Sequence, residues 1–167
     1  MFTKYSQNKH WGNKKVNRKS YWNPGPASER SKWFCEQLKK YDFHSICEVG
    51  MMAGRNLRHI REYFPNVEIN AFDINQKAVE FAKKNLPESN IWHMDIHDVT
   101  KCKQKFDIVF TSGVLIHLLP ETILSALKNL ISKYIEKLLG GSHLIKCRLM
   151  LLSAFTIDKL SKAGLEP

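Results

Sequence analysis

The feature that most constrains the fold is a regular alternation of short apolar runs with longer amphipathic segments after residue 44. The runs have the length of strands, and the segments between them have the length of helices. Parallel strands need such crossover connections, and right-handed crossovers give a doubly wound, mostly parallel α/β sheet. The predicted strands are residues 45–49, 68–72, 90–94, 106–110 and 142–147, and the main helices are 56–64, 76–86 and 121–139.

In a Rossmann-like sheet of this kind, ligands bind in a crevice at the carboxyl ends of the strands. After the first strand come Gly50 and Gly54, with Glu48 two residues before them. Glycines at a strand-to-helix turn let the backbone approach a ligand, and the helix N-terminus supplies N–H donors. The middle glycine of the nicotinamide fingerprint G-x-G-x-x-G is absent, which makes a nicotinamide dehydrogenase a distant alternative.

Acidic residues follow the second and third strands. Asp73 lies roughly 20 residues beyond the glycine turn, where a carboxylate can accept hydrogen bonds from both hydroxyls of a ribose. Asp95 follows the third strand. A helix cap or a surface position also explains each aspartate alone. Together with Glu48, however, acids at three consecutive strand ends are a more specific signal than any one of them.

These residues resemble motif I of class I S-adenosylmethionine-dependent methyltransferases, E-x-G-x-G-x-G, except that Met52 stands where that family often has glycine. The run Phe-Asp-Ile-Val-Phe-Thr-Ser-Gly-Val-Leu-Ile-His-Leu at 106–118 resembles the family's motif IV and the segment that follows it. With Gly-Arg-Asn-Leu at 54–57, it is similar to the methyltransferases associated with pseudaminic acid biosynthesis. The resemblance covers roughly residues 44–135.

The resemblance implies S-adenosylmethionine as the cofactor and methyl transfer to oxygen or nitrogen as the reaction. It implies that Glu48 helps to anchor the ammonium group of the cofactor and that Asp95 accepts a hydrogen bond from the adenine amine. The implied cofactor-binding residues are Glu48, Gly50, Met51, Gly54, Asn56, Asp73, Ile74, Asp95, Ile96 and Ser112.

His117 is the candidate catalytic residue, because the unperturbed histidine pKa of about 6.5 suits the deprotonation of a hydroxyl or an amine. The alternative is a histidine that packs or orients its loop, since many methyl transfers need little more than alignment of the reacting groups. His93, His97 and Asp98 are close in sequence, but no further ligands accompany them and no Cys-x-x-Cys pair occurs. No metal site is predicted.

The N-terminal arm, residues 1–27, is basic and is interrupted by aromatic residues. Residues 1–40 contain ten Lys and Arg against two Glu, which is most of the net charge of +10. Such asymmetry indicates an anionic partner. We expect the arm to close over the cofactor with Tyr21 and Trp22 as lid residues, and the acceptor to be small and anionic, such as a phosphorylated or nucleotide-linked sugar. The alternatives are an RNA methyltransferase that uses the arm and a solvated tail.

The remaining 28–167 segment is predicted to be one S-adenosylmethionine-binding domain. The four cysteines are predicted to be reduced thiols of a cytoplasmic protein. No apolar stretch of the sequence is long enough to cross a membrane. The sequence ends where the family's final antiparallel hairpin begins, so the sheet is expected to lack it. A truncated cofactor-binding domain without activity is a further alternative, and the open sheet edge favours a homodimer.

Overall fold

The computed structural model describes residues 4–16, 21–23, 25–133 and 150–151. Among the described residues, helices α1 (Lys4–Asn13) and α2 (Pro26–Leu38) precede the first strand, and strands then alternate with helices. The alternating elements are β1 (Ser45–Val49), α3 (Arg55–Tyr63), β2 (Glu68–Asp73), α4 (Gln76–Asn85), β3 (Asn90–His93), a 3₁₀ helix (Ile96–Lys101), β4 (Ile108–Thr111), a second 3₁₀ helix (Leu115–His117), α5 (Pro120–Ile131) and β5 (Met150–Leu151).

The strands form one sheet in the order β3-β2-β1-β4-β5, and every neighbouring pair is parallel. Strand order therefore reverses at β1, which pairs with β2 on one side and with β4 on the other. This reversal is the topological switch point at which open α/β sheets hold their ligands. The predicted Rossmann-like α/β fold is confirmed.

Two apolar clusters cover the two faces of the sheet, because successive side chains of a strand point to opposite faces. On one face, Ile46 of β1 packs among residues of α2, α3 and α4, including Phe34 and Leu57. On the other face, Cys47 and Val49 of β1 pack against α5 and the first 3₁₀ helix. The result is a three-layer sandwich whose central strand is buried along its whole length.

The elements differ from the sequence-based bounds at the C-terminal side. The described part of the last long helix ends at Ile131, and the predicted fifth strand at 142–147 lies outside the described residues. The strand that pairs with β4 is Met150–Leu151, within a segment that the sequence suggested as a connection. The expected absence of a final hairpin also lies outside the described residues. No helix in the described ranges is long and apolar enough to cross a bilayer.

The N-terminal arm contributes secondary structure of its own. Helix α1 lies within it, and α2 begins at Pro26, just before the predicted boundary at residue 28. Asn75, at the N-terminal end of α4, donates hydrogen bonds from its side chain to the carbonyls of Trp11 and Lys14. The arm is therefore docked on the sheet-bearing part of the chain, at the loop that follows β2.

Candidate functional site

A cavity opens at the carboxyl ends of β1, β2 and β4 and next to the end of β3. It encloses about 810 Å³, which includes the open space at its mouth. Its walls combine residues of the N-terminal arm with the loops that follow the first four strands. The lining residues are Asn8, Trp11, Tyr21, Val49, Gly50, Met52, Asp73, Ile74, Met94, Asp95, Ile96, Ser112, Gly113, Val114, His117 and Leu118.

The turn after β1 forms the floor of the cavity. Gly50 has φ 85°, and its N–H donates to the carbonyl of Phe72 at 2.7 Å. A Cβ atom at this position would lie 2.1 Å from Cγ2 of Val114, far closer than two carbon atoms can approach. Gly50 is therefore required both by its backbone conformation and by the close approach of the loop after β4.

Met52 occupies the position at which the resembling motif has its middle glycine. Its φ is 51°, in the left-handed region that favours glycine and is uncommon for other residues. Its N–H donates to Oδ2 of Asp73 at 2.6 Å, and this bond holds the unusual conformation. The turn thus keeps the shape that glycine would allow, and it adds an apolar side chain to the cavity wall.

Asp73 ends β2 and links two loops through its carboxylate. Oδ2 accepts from the N–H of Met52, and Oδ1 accepts from the N–H of Asn75 at 2.8 Å. Burial raises the pKa of this carboxyl from its ordinary value, while the two backbone donors oppose the shift. Because these donors require acceptor oxygens, the ionised form is the one that the loops are arranged to hold.

Asp95 stands across the cavity after β3. Its Oδ1 accepts from the N–H of His97 at 2.9 Å, which caps the first 3₁₀ helix. Its Oδ2 accepts from the side-chain amide of Asn8 at 2.6 Å. The aspartate is therefore both a cap, as its alternative interpretation held, and a residue of the cavity.

The charge in the cavity is negative. Among the described lining residues, the ionised groups are the carboxylates of Asp73 and Asp95, and no lysine or arginine is present. The other walls are largely apolar, with Met94, Ile96 and Leu118 among them. Such a site suits a ligand that carries hydroxyl groups, an amine or a positive charge, and it disfavours a diphosphate.

Glu48 lies behind this cavity. Alternation along β1 directs its side chain toward α3, where Oε1 accepts from the side-chain amide of Asn56 at 2.6 Å. The oxygen of that amide in turn accepts from the hydroxyl of Ser31 on α2 at 2.6 Å. Glu48 is 1 % exposed, and burial raises its pKa to about 8, although the bond from Asn56 and the charge of Arg55 oppose the shift.

The predicted site residues divide into two groups. The cavity brings together Gly50, Asp73, Ile74, Asp95, Ile96 and Ser112, and it also includes His117 and Tyr21. The others do not line it: Glu48 and Asn56 form the buried network described above, Met51 packs in the core, and Gly54 begins α3 with φ 87°.

The aromatic side chains of the arm take separate places. Tyr21 lines the cavity, whereas its neighbour Trp22 packs edge-on against Phe81, with ring centroids 5.6 Å apart. Trp11 is the tryptophan at the cavity, and its ring lies 4.3 Å from that of His117. The sequence contained no local signal that distinguished Trp11 from Trp22, because both are aromatic residues in a basic arm.

Other lining residues were also missed. Asn8 could not be found from the sequence, because it is 87 residues from Asp95, its partner. Gly113 and Val114 fall in the run that resembles motif IV, and this run was the only signal for them. No group of three His, Cys, Asp or Glu side chains arranged as for a metal ion occurs in the part of the chain that the structure describes.

Comparison with known proteins agrees with this geometry. A family model described as a methyltransferase domain matches residues 46–133, which is more than half of the chain. The chain therefore belongs to the methyltransferase domain family. The sheet order and the cavity at its switch point are those of the class I fold, so the predicted class is confirmed. No curated protein matches the sequence.

Solved structures with the same fold are methyltransferases of low sequence identity. The plantazolicin methyltransferase BpumL in complex with SAH matches with a TM-score of 0.60 and 18 % identity, over 77 % of this chain and 53 % of that one. The N-methyltransferase NodS from Bradyrhizobium japonicum WM9, in complex with S-adenosyl-L-homocysteine, matches with a TM-score of 0.61 and 15 % identity, over 78 % and 67 %.

A third neighbour is magnesium protoporphyrin IX methyltransferase (ChlM) from Synechocystis PCC 6803 with bound SAM. It matches with a TM-score of 0.59 and 15 % identity, over 88 % of this chain and 77 % of that one. The chain spans about half the length of the plantazolicin methyltransferases that it matches. At these identities the neighbours establish the fold.

Proposed function

We propose that this domain binds S-adenosylmethionine and transfers its methyl group to oxygen or nitrogen of a small, anionic acceptor. The observation that carries the proposal is the cavity at the switch point, in which Asp73 and Asp95 face a largely apolar space. A cationic ligand with a ribose and an amino-purine matches these two carboxylates. Family membership and the neighbours solved with SAH or SAM support the same cofactor.

The cofactor-binding roles follow from where the side chains stand. Asp73 would hold the ribose hydroxyls, Asp95 the adenine amine, and the loops at Gly50 and Ser112 the methionine part. Glu48 lies behind the turn and does not line the cavity, so it would attract the ammonium group electrostatically, across the loop and without direct contact. When bound, S-adenosylmethionine supplies an electrophilic methyl group, and the acceptor's lone pair forms the new bond as the carbon–sulfur electron pair returns to sulfur.

His117 would take the proton that the acceptor loses. It lines the cavity next to Trp11, in the loop after β4, and a neutral imidazole can accept a proton near neutral pH. Tyr21 lies on the same cavity and would help to enclose the acceptor, which is the lid role that the sequence suggested. Trp22 would support that lid from the outside, through Phe81.

An anionic acceptor is supported by the rim. The ammonium group of Lys14 lies 3.8 Å from the centre of the ring of Trp11, a lining residue, and Lys9 and Lys15 of the same arm are exposed. Positive charge around a mouth attracts anions and raises their local concentration. A phosphorylated or nucleotide-linked sugar, as the similarity to pseudaminic acid-associated enzymes implies, has the required charge.

RNA is the second acceptor that the same rim would suit, because basic and aromatic residues alternate along the arm. RNA binding would release many counterions, so its affinity would fall steeply as salt is raised. A small acceptor with one or two negative charges would show a shallow salt dependence. The expectations of a cytoplasmic location, a domain at residues 28–167 and a homodimer remain part of this proposal.

Calorimetry tests the cofactor assignment. We expect S-adenosylhomocysteine to bind with a dissociation constant in the micromolar range, and NAD to give no measurable heat of binding. The physical reason is that the described lining of the cavity offers carboxylates for a ribose and an amine but no lysine or arginine for a diphosphate. Tighter binding of NAD than of S-adenosylhomocysteine would contradict the proposed function.

Asp73→Asn should weaken the binding of S-adenosylhomocysteine by about 1.5–3 kcal/mol, since the ribose loses a charged acceptor and one backbone N–H meets an amide NH₂. Asp98→Asn is a matched control, because Asp98 follows the same edge of the sheet but pairs with Lys101 outside the cavity. Titration of both folded variants checks the prediction. Equal affinities in the two variants would show that Asp73 only shapes the loop.

A further inference from the structure

Helix α1 is held against the cavity by a buried asparagine. The Asn75 side chain is fully buried. Its Nδ2 donates to the carbonyl of Trp11 at 3.0 Å and to that of Lys14 at 2.7 Å, and its Oδ1 caps α4 by accepting from the N–H of Ala78 at 3.1 Å. The amide nitrogen and the amide oxygen of Asn75 together join the end of α1 to the start of α4.

The same residue is connected to the cavity through its backbone, because the N–H of Asn75 donates to Asp73. The end of α1 also approaches the loop after β2 closely, since a Cβ at Gly12 would lie 3.5 Å from the carbonyl oxygen of Ile74. The C-terminal end of α1 is therefore anchored to the loop that carries one of the two cavity carboxylates.

The middle of α1 reaches the second carboxylate. Asn8 lies about one helical turn before Trp11, and its amide donates to Oδ2 of Asp95 at 2.6 Å. The remaining oxygen, Oδ1, already serves His97 as the cap of the 3₁₀ helix. Oδ2 is thus the oxygen through which Asp95 can meet a donor inside the cavity, and the Asn8 amide is placed on it.

We propose that α1 is a cap whose Asn8 competes with the amino group of a bound adenine for the carboxylate of Asp95, and that α1 turns about Asn75 as the site fills. This inference rests on the proposed function, because it takes the ligand to be S-adenosylmethionine or its product. The Asn8 amide and the adenine amine are both planar NH₂ donors, so one acceptor oxygen suits either of them. Docking of α1 then lowers cofactor affinity, while the Asn75 anchor keeps the cap within reach of the acceptor.

The expected change in affinity follows from the fraction of molecules in which Asn8 leaves Asp95 accessible. If a ligand must first displace Asn8, its apparent affinity falls by the fraction of molecules in which Asp95 is accessible. A half-exposed hydrogen bond to a carboxylate is enough to change that fraction about three- to tenfold. Asn8→Ala removes the competitor without touching Asp95, so S-adenosylhomocysteine should bind about three- to tenfold more tightly to this variant than to the wild type.

Asn13→Ala is the matched control. Asn13 belongs to the same helix, is exposed, and donates only to the carbonyl of Lys9 among the described contacts. Its removal should leave the affinity within twofold of the wild type. Tighter binding in both variants would mean that α1 is merely loosened, and unchanged or weaker binding in Asn8→Ala would overturn the competition.

A ligand without the adenine amine distinguishes competition for Asp95 from a general loosening of α1. The purine riboside analogue of S-adenosylhomocysteine, which has hydrogen in place of the adenine amine, also lacks an N1–H, so it has no donor with which to replace Asn8. Asn8→Ala should therefore leave its affinity unchanged, and an equal gain for both ligands would overturn the proposal. Wild-type protein that binds neither ligand would refute the proposed function itself, which is a different result from an unresponsive Asn8→Ala.

Discussion

Gly50→Ala is expected to abolish measurable binding of S-adenosylhomocysteine and to lower the free energy of unfolding by about 2–5 kcal/mol. The new alanine would have to keep a backbone φ of 85°, which costs a non-glycine residue about 1–2 kcal/mol. Its methyl group would also lie 2.1 Å from Cγ2 of Val114, and overpacking of this kind costs about 1–3 kcal/mol. Val114 lines the cavity, so its displacement carries the clash into the ligand site. Calorimetry and chemical denaturation measure the two effects.

Two variants separate the backbone cost from the clash. Gly113→Ala places a methyl group at φ 75° with no atom within 4 Å, so it should show only the backbone cost. Gly50→Ala combined with Val114→Ala removes the atom that Cβ would meet, and part of the stability should return. If Gly50→Ala and Gly113→Ala are equally stable, Val114 moves aside without cost and the steric argument is wrong.

The parts of the fold that follow from local patterns were predictable from the sequence. Amphipathic helices separate the first three strands, and a parallel sheet brings the carboxyl ends of the strands to one edge. Asp73 and Asp95 therefore meet at one cavity, although 22 positions separate them in the sequence. Because the parallel topology brings regularly spaced strand ends close together, the sequence alone was enough to predict that these residues lie near one another.

The contacts of α1 were not predictable, because they join distant parts of the chain. Asn8 meets Asp95 and Trp11 meets His117 only through the docking of α1, and α1 is a polar helix without an amphipathic pattern. Backbone carbonyls of Trp11 and Lys14 anchor it to Asn75, and every residue type has such carbonyls. Asn8, Trp11 and Tyr21 of the arm line the cavity, and the sequence could not select which aromatic residues of the arm do so.

Glu48 shows a different limit of sequence reasoning. Its place two residues before Gly50 made it a candidate for the ammonium group, and strand alternation alone does not show which face of the sheet receives it. The structure directs it to the side of α3, into a chain of hydrogen bonds through Asn56 to Ser31. Its second oxygen, Oε2, is buried with no hydrogen-bond partner among the described residues. The carboxyl group is thus poorly arranged to remain charged.

Glu48→Gln should stabilise the protein at alkaline pH and change it little at acid pH. In the native state burial raises the pKa of Glu48 to about 8, against an ordinary value of 4.5. Between these two values the native state binds more protons than the unfolded state, so wild-type stability falls as pH rises and levels off above about pH 8. Glutamine carries no ionisable proton and escapes this loss. The variant should gain on the order of 4 kcal/mol over the wild type by pH 9.

Denaturation of both proteins at pH 5 and at pH 9 tests this expectation, with Glu29→Gln as a control at an exposed carboxylate. A difference between Glu48→Gln and wild type that does not change with pH would show that Glu48 is charged throughout. Cofactor binding provides a second comparison. Glu48 can attract an ammonium group only when it is ionised, so Glu48→Gln should bind S-adenosylhomocysteine as well as the wild type at pH 6 and more weakly than it at pH 9. If the variant and the wild type bind S-adenosylhomocysteine equally well at pH 6 and also at pH 9, Glu48 does not act on the cofactor and is a buried structural carboxyl.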